Sequence, residues 1–266
     1  MEIPVVLITD EVFAPYCATA MASVLRNAGD DTEISFHILT EGLSQIVKDK
    51  FSGLKYIKDC DINYNIINKE EFSDLPVYYH IPLSSYYRLK LFSMFPNYDK
   101  LIYLDSDSVV LENIKELFDI DIDNYYAGMV LDIVRKDGMR VDELIKKLQL
   151  PSDSKYFNAG LILVNLKKCR EHSIGDKIIK WAKHNKEKLT WADQDTINVV
   201  MNGLIKELPD KYNIQLWFYN TNARRSEIDG KAIIHYCGPE KPWNNKRMFL
   251  SEHFWENYYP FMEIYQ

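Results

Sequence analysis

Hydrophobic positions along this chain come in blocks. Val5-Val6-Leu7-Ile8-Thr9 is a continuous apolar run closing on Asp10, the pattern of a strand buried on both faces. After Phe13-Ala14-Pro15, the residues Ala18, Met21, Ala22 and Leu25 share one helical face, and Gly29 supplies the stop. Ile34 to Leu39 reads as a second strand, Leu43 to Tyr56 carries helical spacing, and Tyr64 to Ile67 reads as a third strand. This β-α-β-α-β opening predicts a parallel sheet covered by helices. Ser84 to Phe95 is expected to be a serine-capped helix stopped by Pro96, leading into the apolar run Lys100 to Leu104. Leu117-Phe118 falls in a short turn, and Ala127 to Leu131 is a strand closing on Asp132. Val141 to Leu148 is an amphipathic helix, and Asn158-Ala159-Gly160 is expected in a loop feeding a buried strand that ends at Leu166. Ile174 to His184 is helical with Trp181 on its apolar side, and Trp191 to Asp195 opens a helix through Met201. Lys231 to His235 is the last clear strand, and an aromatic helical tail starts near Phe254. No repeat or low-complexity linker interrupts the series, which predicts one domain over 1–266, with a core at about 3–245 and a tail at about 246–266.

Composition narrows the function. At 266 residues and 47% hydrophobic content the chain can bury a sizeable core. A net charge of -7 argues against a nucleic-acid partner, which needs a basic face, and means that any anionic ligand must be met by local cations. Cys17, Cys60, Cys169 and Cys237 are far apart with no C-x-x-C pair, which suits a reducing cytosol. Met1-Glu2-Ile3-Pro4 has no basic segment followed by an apolar one, no run reaches the roughly 18 apolar residues of a membrane span, and no Asn-x-Ser/Thr acceptor occurs. The expectation is a soluble cytoplasmic protein.

The candidate chemistry starts at Asp105-Ser106-Asp107. Asp-x-Asp recurs at 59, 119, 121 and 193, but only the pair at 105 directly follows a strand-like apolar run. In open α/β sheets ligands gather beyond the carboxyl ends of strands, and two carboxylates there can converge on a hard cation that in turn holds a diphosphate. The opening resembles a nucleotide-binding half, yet the chain has neither a Gly-x-Gly-x-x-Gly turn nor a Walker-type Gly-Lys-Ser/Thr, so a metal becomes the means of neutralising phosphate. His235, after a strand and before Gly238-Pro239, would complete a mixed oxygen and nitrogen site suited to Mn²⁺. Arg88, Lys90 and Lys241 are candidate phosphate or sugar cations; their bland reading is exposed side chains paired to nearby acids. Asn158-Ala159-Gly160 combines an amide with small residues that admit a ligand, against a plain turn. Asp193 and Gln194 offer polar groups for sugar hydroxyls, against a capping cluster.

The order of these pieces carries more than any one of them. Strand-Asp105-Ser106-Asp107, then Phe157-Asn158-Ala159-Gly160, then Asp193-Gln194-Asp195, then His235-Tyr236-Cys237-Gly238-Pro239-Glu240-Lys241-Pro242-Trp243 resembles family eight of the retaining glycosyltransferases, from Val5 to Trp243. Within it the chain looks most like the bacterial galactosyl- and glucosyltransferases that build lipopolysaccharide or surface polysaccharide; glycogenin and galactinol synthase are more distant. The resemblance implies a GT-A fold, a Rossmann-like α/β core with a mostly parallel sheet. It also implies a UDP-galactose or UDP-glucose donor, a glycan or glycolipid acceptor, and Mn²⁺ (or Mg²⁺) on Asp105, Asp107 and His235. It places Asp10 and Phe13 at the uracil, Arg88 at the donor sugar and phosphates, and Asp132, Asn158, Ala159, Gly160, Asp193 and Gln194 around the sugar. Ser106 falls within the donor site, and Gly238 with Lys241 at the diphosphate. Val12 stands where a polar nucleoside contact is common.

The resemblance places an amide, Gln194, where a nucleophile would be expected, which favours front-face attack over double displacement, with Gln194 and Asp193 as the catalytic candidates. The competing expectations are a metal-dependent UDP-sugar hydrolase, a silent sugar-nucleotide-binding protein, and self-glucosylation in the manner of glycogenin. Loops around 74–83, 133–156 and 217–230 would set the acceptor. The sequence ends without a basic amphipathic tail, so docking on the inner face of a membrane would need a longer natural chain.

Overall fold

The structure, a computed structural model, describes residues 1–77, 81–132, 141–216, 232–238, 241–243 and 255. In chain order the elements are β1 (Glu2–Ile8), α1 (Ala14–Asn27), β2 (Glu33–Thr40), α2 (Gln45–Ser52), β3 (Cys60–Ile66), α3 (Leu91–Met94), β4 (Lys100–Leu104), β5 (Ser108–Val110) and α4 (Lys115–Phe118). They continue as β6 (Ala127–Leu131), α5 (Val141–Lys147), β7 (Phe157–Asn165), α6 (Leu166–Glu171), α7 (Ile174–His184), α8 (Ala192–Val200), β8 (Ile205–Glu207), β9 (Ile214–Gln215) and β10 (Ile233–His235). Seven of the strands make a mostly parallel central sheet flanked by helices, the α/β architecture expected for a GT-A fold. The described residues form two compact units: one of Met1–Ile67, Leu104–Ile120 and residues from Asp210 onward, the other of Asn68–Tyr103 and Asp121–Pro209.

In the first unit β3-β2-β1 run parallel, with Val5 paired to Phe36 and Phe36 to Ile62. The β1 run is buried from Ile3 to Leu7, which is why it reads as unbroken hydrophobicity. Helix α1 carries Pro15 in its first turn and buries Cys17, Ala18, Met21, Ala22 and Leu25. Two of its polar residues, one turn apart, grip β5: Ser23 Oγ accepts from Val110 N at 2.9 Å, and Asn27 Nδ2 donates to Val110 O at 3.0 Å. A small second sheet, β5-β10-β9, completes the unit. It is antiparallel between β5 and β10 and sets His235 opposite Ser108.

In the second unit the sheet order is β4-β7-β6-β8. The β6–β7 pair is antiparallel, while β6–β8 is parallel. Leu144, Leu148 and Tyr156 form a core cluster, with Trp181, Trp191 and Val199 packed against it, so Trp181 does face the apolar side of α7.

Three local expectations need correction. Leu83–Lys90 is a 3₁₀ helix continued by the short α3, not one α-helix, and its N-cap is Pro82 without any serine side-chain bond. The 3₁₀ segment buries Tyr86, Tyr87 and Leu89, and α3 continues the apolar face with Leu91 and Phe92. Asn158-Ala159-Gly160 lies inside β7, buried throughout, rather than in a loop before it. The third strand starts at Cys60, four residues before the expected Tyr64. Lys231, the tail except Trp255, and parts of the three acceptor loops lie outside the described residues.

Candidate active site

The acidic centre belongs to the first unit. Asp105 and Asp107 sit between β4 and β5, and His235 ends β10. The β5–β10 ladder brings the histidine to them: it pairs His235 with Ser108, and Tyr236 N donates to Asp107 O at 2.9 Å. His235 Nε2 lies 3.5 Å from Asp105 Oδ2 and 3.3 Å from Asp107 Oδ1. One ligand atom from each of the three residues falls within 4.8 Å of the others. Two carboxylate oxygens and an imidazole nitrogen make a donor set that fits a divalent cation.

Two further residues condition this centre. Buried Asn213, which sequence reading missed, accepts from His235 Nδ1 through its Oδ1 at 3.0 Å, leaving Nε2 turned to the carboxylates. Nothing in Lys211-Tyr212-Asn213-Ile214 marks the asparagine before folding. Lys241 Nζ donates to Asp107 Oδ2 at 2.5 Å and to Tyr236 O at 2.8 Å. Burial works to raise the Asp107 pKa, but the charges of Lys241 and His235 outweigh it and hold that carboxyl well below the ordinary carboxylate range.

The remaining predicted residues of this unit have distinct placements. Ser106 turns inward, its Oγ donating to Ile8 O at 2.6 Å, so its side chain ties the acidic tip to the end of β1. Asp10 is exposed, and its Oδ1 accepts from Phe13 N at 2.8 Å in an Asx-type turn that presents Phe13, itself partly exposed. Phe13 meets Tyr16 and Trp243 edge-on, and Tyr16 stacks on Trp243 with centroids 3.7 Å apart. Gly238 adopts φ of 91°, a left-handed conformation that suits glycine two residues from Tyr236. Val12 is exposed. Cys17, buried behind Ser106 and Thr9, has its thiol pushed up to about 12 by burial and is chemically inert.

The amide-rich cluster belongs to the second unit. Arg88 Nε faces Asp193 Oδ2 at 3.0 Å, both largely buried, and Arg88 Nη1 donates to Ala159 O at 2.8 Å. The same guanidinium lies over the Tyr103 ring at 4.9 Å. Asp132 Oδ2 accepts from Gln194 Nε2 at 2.8 Å and from Asn158 Nδ2 at 3.2 Å. Gln194 Oε1 accepts from Ala159 N at 2.9 Å, and Asn158 Oδ1 accepts from Gly160 N at 2.9 Å. Of the predicted sugar-pocket residues, Asp132, Asn158, Ala159, Gly160, Arg88, Asp193 and Gln194 are therefore bonded together. Lys90 is not among them; it pairs with Glu71 at 2.8 Å, the bland reading of that lysine.

Comparison with known proteins gives this geometry its context. The sequence profile of Glycosyl transferase family 8 matches residues 4–247. The lipopolysaccharide 1,2-glucosyltransferase of Escherichia coli is 28% identical over 260 residues, covering 94% of this chain and 76% of that protein. The lipopolysaccharide 1,3-galactosyltransferase of Salmonella typhimurium is 26% identical over 249 residues, covering 89% and 71%. The galactosyltransferase LgtC, solved in complex with donor and acceptor sugar analogues, is similar with a TM-score of 0.81 and 28% identity, over 98% of this chain and 96% of that one. An active-site glutamine-to-glutamate mutant of LgtC gives a TM-score of 0.81 at 30% identity, over 96% and 94%. No helix among the described residues is long and apolar enough to cross a membrane.

Proposed function

This chain belongs to glycosyl transferase family 8, and on that premise we propose that it is a retaining hexosyltransferase. It moves galactose or glucose from a UDP-sugar to a glycan or glycolipid acceptor, in bacterial surface polysaccharide or lipopolysaccharide-type synthesis at the cytoplasmic side. The relatives named for lipopolysaccharide glucosyl and galactosyl transfer support that reading. The observation that carries it is the convergence of Asp105, Asp107 and His235 within 4.8 Å, three ligands suited to Mn²⁺ in a chain of this family. Residues 1–266 act as one GT-A domain.

Bound there, the cation supplies a Lewis acid for the charge that develops on the departing diphosphate. The rest is done by the chain. Phe13 offers an exposed ring face for the uracil, and Asp10 shapes the turn that presents it. Lys241 and the Gly238 turn hold the diphosphate, so Lys241 exchanges its bond with Asp107 for phosphate oxygens. Arg88, Asp132, Asn158, Ala159 and Gly160 line the sugar.

Front-face attack is supported by what the two catalytic candidates already hold. Asp193 is paired with Arg88, and the Gln194 carboxamide, whose Oε1 already accepts from Ala159 N, is a weak nucleophile, so double displacement has no strong nucleophile to start from. The acceptor hydroxyl then attacks on the side of the leaving phosphate, which takes its proton.

The test is thermal stability with Mn²⁺ and a panel of UDP-, GDP- and dTDP-sugars, beside Asp105→Ala. Metal-dependent stabilisation by UDP-galactose or UDP-glucose, lost in the variant, is expected by mass action. A wild type that no nucleotide sugar stabilises, with any metal, overturns the reading. UDP release that is indifferent to acceptor would instead make the protein a hydrolase.

A further inference from the structure

Hydrogen-bond direction can be deduced wherever a chain of contacts ends on groups that have no choice. Backbone N–H groups only donate, and carboxylates only accept. Asp195 is fully buried; its Oδ2 accepts from Thr190 N at 2.5 Å and Trp191 N at 2.7 Å, while its Oδ1 faces the Tyr156 hydroxyl at 2.5 Å. Burial pushes the Asp195 pKa upward, but the Tyr156 hydroxyl and the Trp191 and Thr190 N–H groups all donate to its charged form, so with the backbone donors on one oxygen the other accepts the phenolic proton. Burial and the Asp195 charge keep that phenol protonated. The Tyr156 oxygen, having given its proton to Asp195, can only accept from Gln194 Nε2 at 3.3 Å. The second Nε2 proton goes to Asp132 Oδ2, and Oε1 takes the Ala159 N–H.

We infer that Tyr156 and Asp195 are positioning residues that set the orientation of the Gln194 carboxamide, so that it offers a substrate oxygen rather than hydrogen. Both amide protons are spent on protein, and the second lone pair of Oε1 is its one remaining bonding capacity. The inference deepens the transferase reading and its mechanistic part rests on it. It also gives the last acid of Asp193-Gln194-Asp195 a role apart from the sugar: Asp195 lies behind Gln194 and also ties down the turn at Ala192, where φ is 52°.

The variant that isolates direction from shape is Asp195→Asn. Its oxygen must stay with the Thr190 and Trp191 donors, so its NH₂ points at Tyr156. The tyrosine proton is then driven towards Gln194. Either orientation of Gln194 now mispairs: as it stands, donor meets donor at Tyr156; flipped, Oε1 meets the Asp132 carboxylate and Nε2 meets Ala159 N–H. Adding Tyr156→Phe removes the offending hydroxyl and lets Gln194 return, although it leaves the new asparagine NH₂ without its tyrosine acceptor.

Two readouts test this. In protein free of metal and donor, side-chain ¹⁵N–H₂ signals of labelled glutamine, with Gln194 assigned by Gln194→Glu, should move and exchange with solvent at least about tenfold faster in Asp195→Asn. They should return towards wild type in the double variant. In transfer assays, kcat should fall about tenfold in Asp195→Asn with donor KM nearly unchanged, and recover severalfold in the double variant although that protein melts lower. Tyr156→Phe alone should give a smaller loss and carries the test if Asp195→Asn does not fold. Gln194 signals unmoved by either single variant, or activity that simply follows melting temperature across the series, would overturn the inference. The signals are read without turnover, so a wild type lacking transferase activity defeats the functional reading alone.

Discussion

The acidic centre and the amide cluster solve opposite problems. Around Asp105, Asp107 and His235, ligand atoms converge with like charges side by side, and Lys241 covers only part of that charge. Around Gln194 most of the polar atoms are matched to one another: Asp132 takes two amide donors, Asp195 takes two backbone N–H groups and a phenol, and Arg88 answers Asp193. The first arrangement would be completed by a cation from solution, so its geometry and stability should respond strongly to ligand. The second is held mostly by protein groups and should be the more rigid of the two and the less responsive to metal. Binding and preorganisation are thus divided between two groups of residues.

The largest effect expected is at the self-contained cluster. Arg88→Met removes the guanidinium that faces the buried Asp193 carboxylate and the bond to Ala159 O, so unfolding in denaturant should show a loss of about 3–5 kcal/mol. Added Mn²⁺ should raise wild type and variant by the same amount and leave the difference between them unchanged. If the metal narrowed that difference, the two regions would not be energetically separate.

A second experiment addresses the acidic centre. Asn213→Leu removes the acceptor that orients His235, and titration calorimetry should show Mn²⁺ affinity about 10–100-fold weaker, beside a loss of metal-free stability of about 1–3 kcal/mol from the buried imidazole N–H left unpaired. A large loss of stability without weaker metal binding would mean that Asn213 serves the β9–β10 region rather than the ligand.

The smallest effect is a pH dependence. The folded Asp107 carboxyl titrates below its unfolded value near about 4, because Lys241 and His235 outweigh the burial that opposes its charge. A depressed carboxyl contributes stability that is present above the unfolded value and is lost as pH falls through the folded one. Asp107→Asn should therefore flatten the acid limb of metal-free stability below about pH 4, as followed by melting temperature against pH.

Much of the framework was legible before folding. The unbroken run Val5–Ile8, the spacing of Ala18, Met21, Ala22 and Leu25, and the strand tip at Asp105 are local signals, and the structure has β1, α1 and β4 where they point. The site residues were legible mainly through motif order, since Asp-x-Asp, an amide next to small residues, or a lone histidine each has an ordinary structural explanation. Where periodicity misled, tertiary burial was the reason: Tyr86, Tyr87 and Leu89 are packed by a 3₁₀ turn, and Asn158-Ala159-Gly160, polar and small enough for a loop, is held in β7 by Asp132, Gln194 and Arg88.

By itself, then, the chain's order of residues determined the α/β class, the strand ends that carry acids, and the family. Side-chain periodicity reports only on neighbours a few residues away, which is enough for those conclusions. Tertiary structure alone decided that His235 meets Asp107 through the antiparallel β5–β10 ladder, that Asn213 stands behind the histidine, and that Ser106 faces inward to Ile8. It also decided which way each hydrogen bond runs from Asp195 through Tyr156 to Gln194. Such direction depends on donors and acceptors brought together from distant parts of the chain, and no local pattern encodes that.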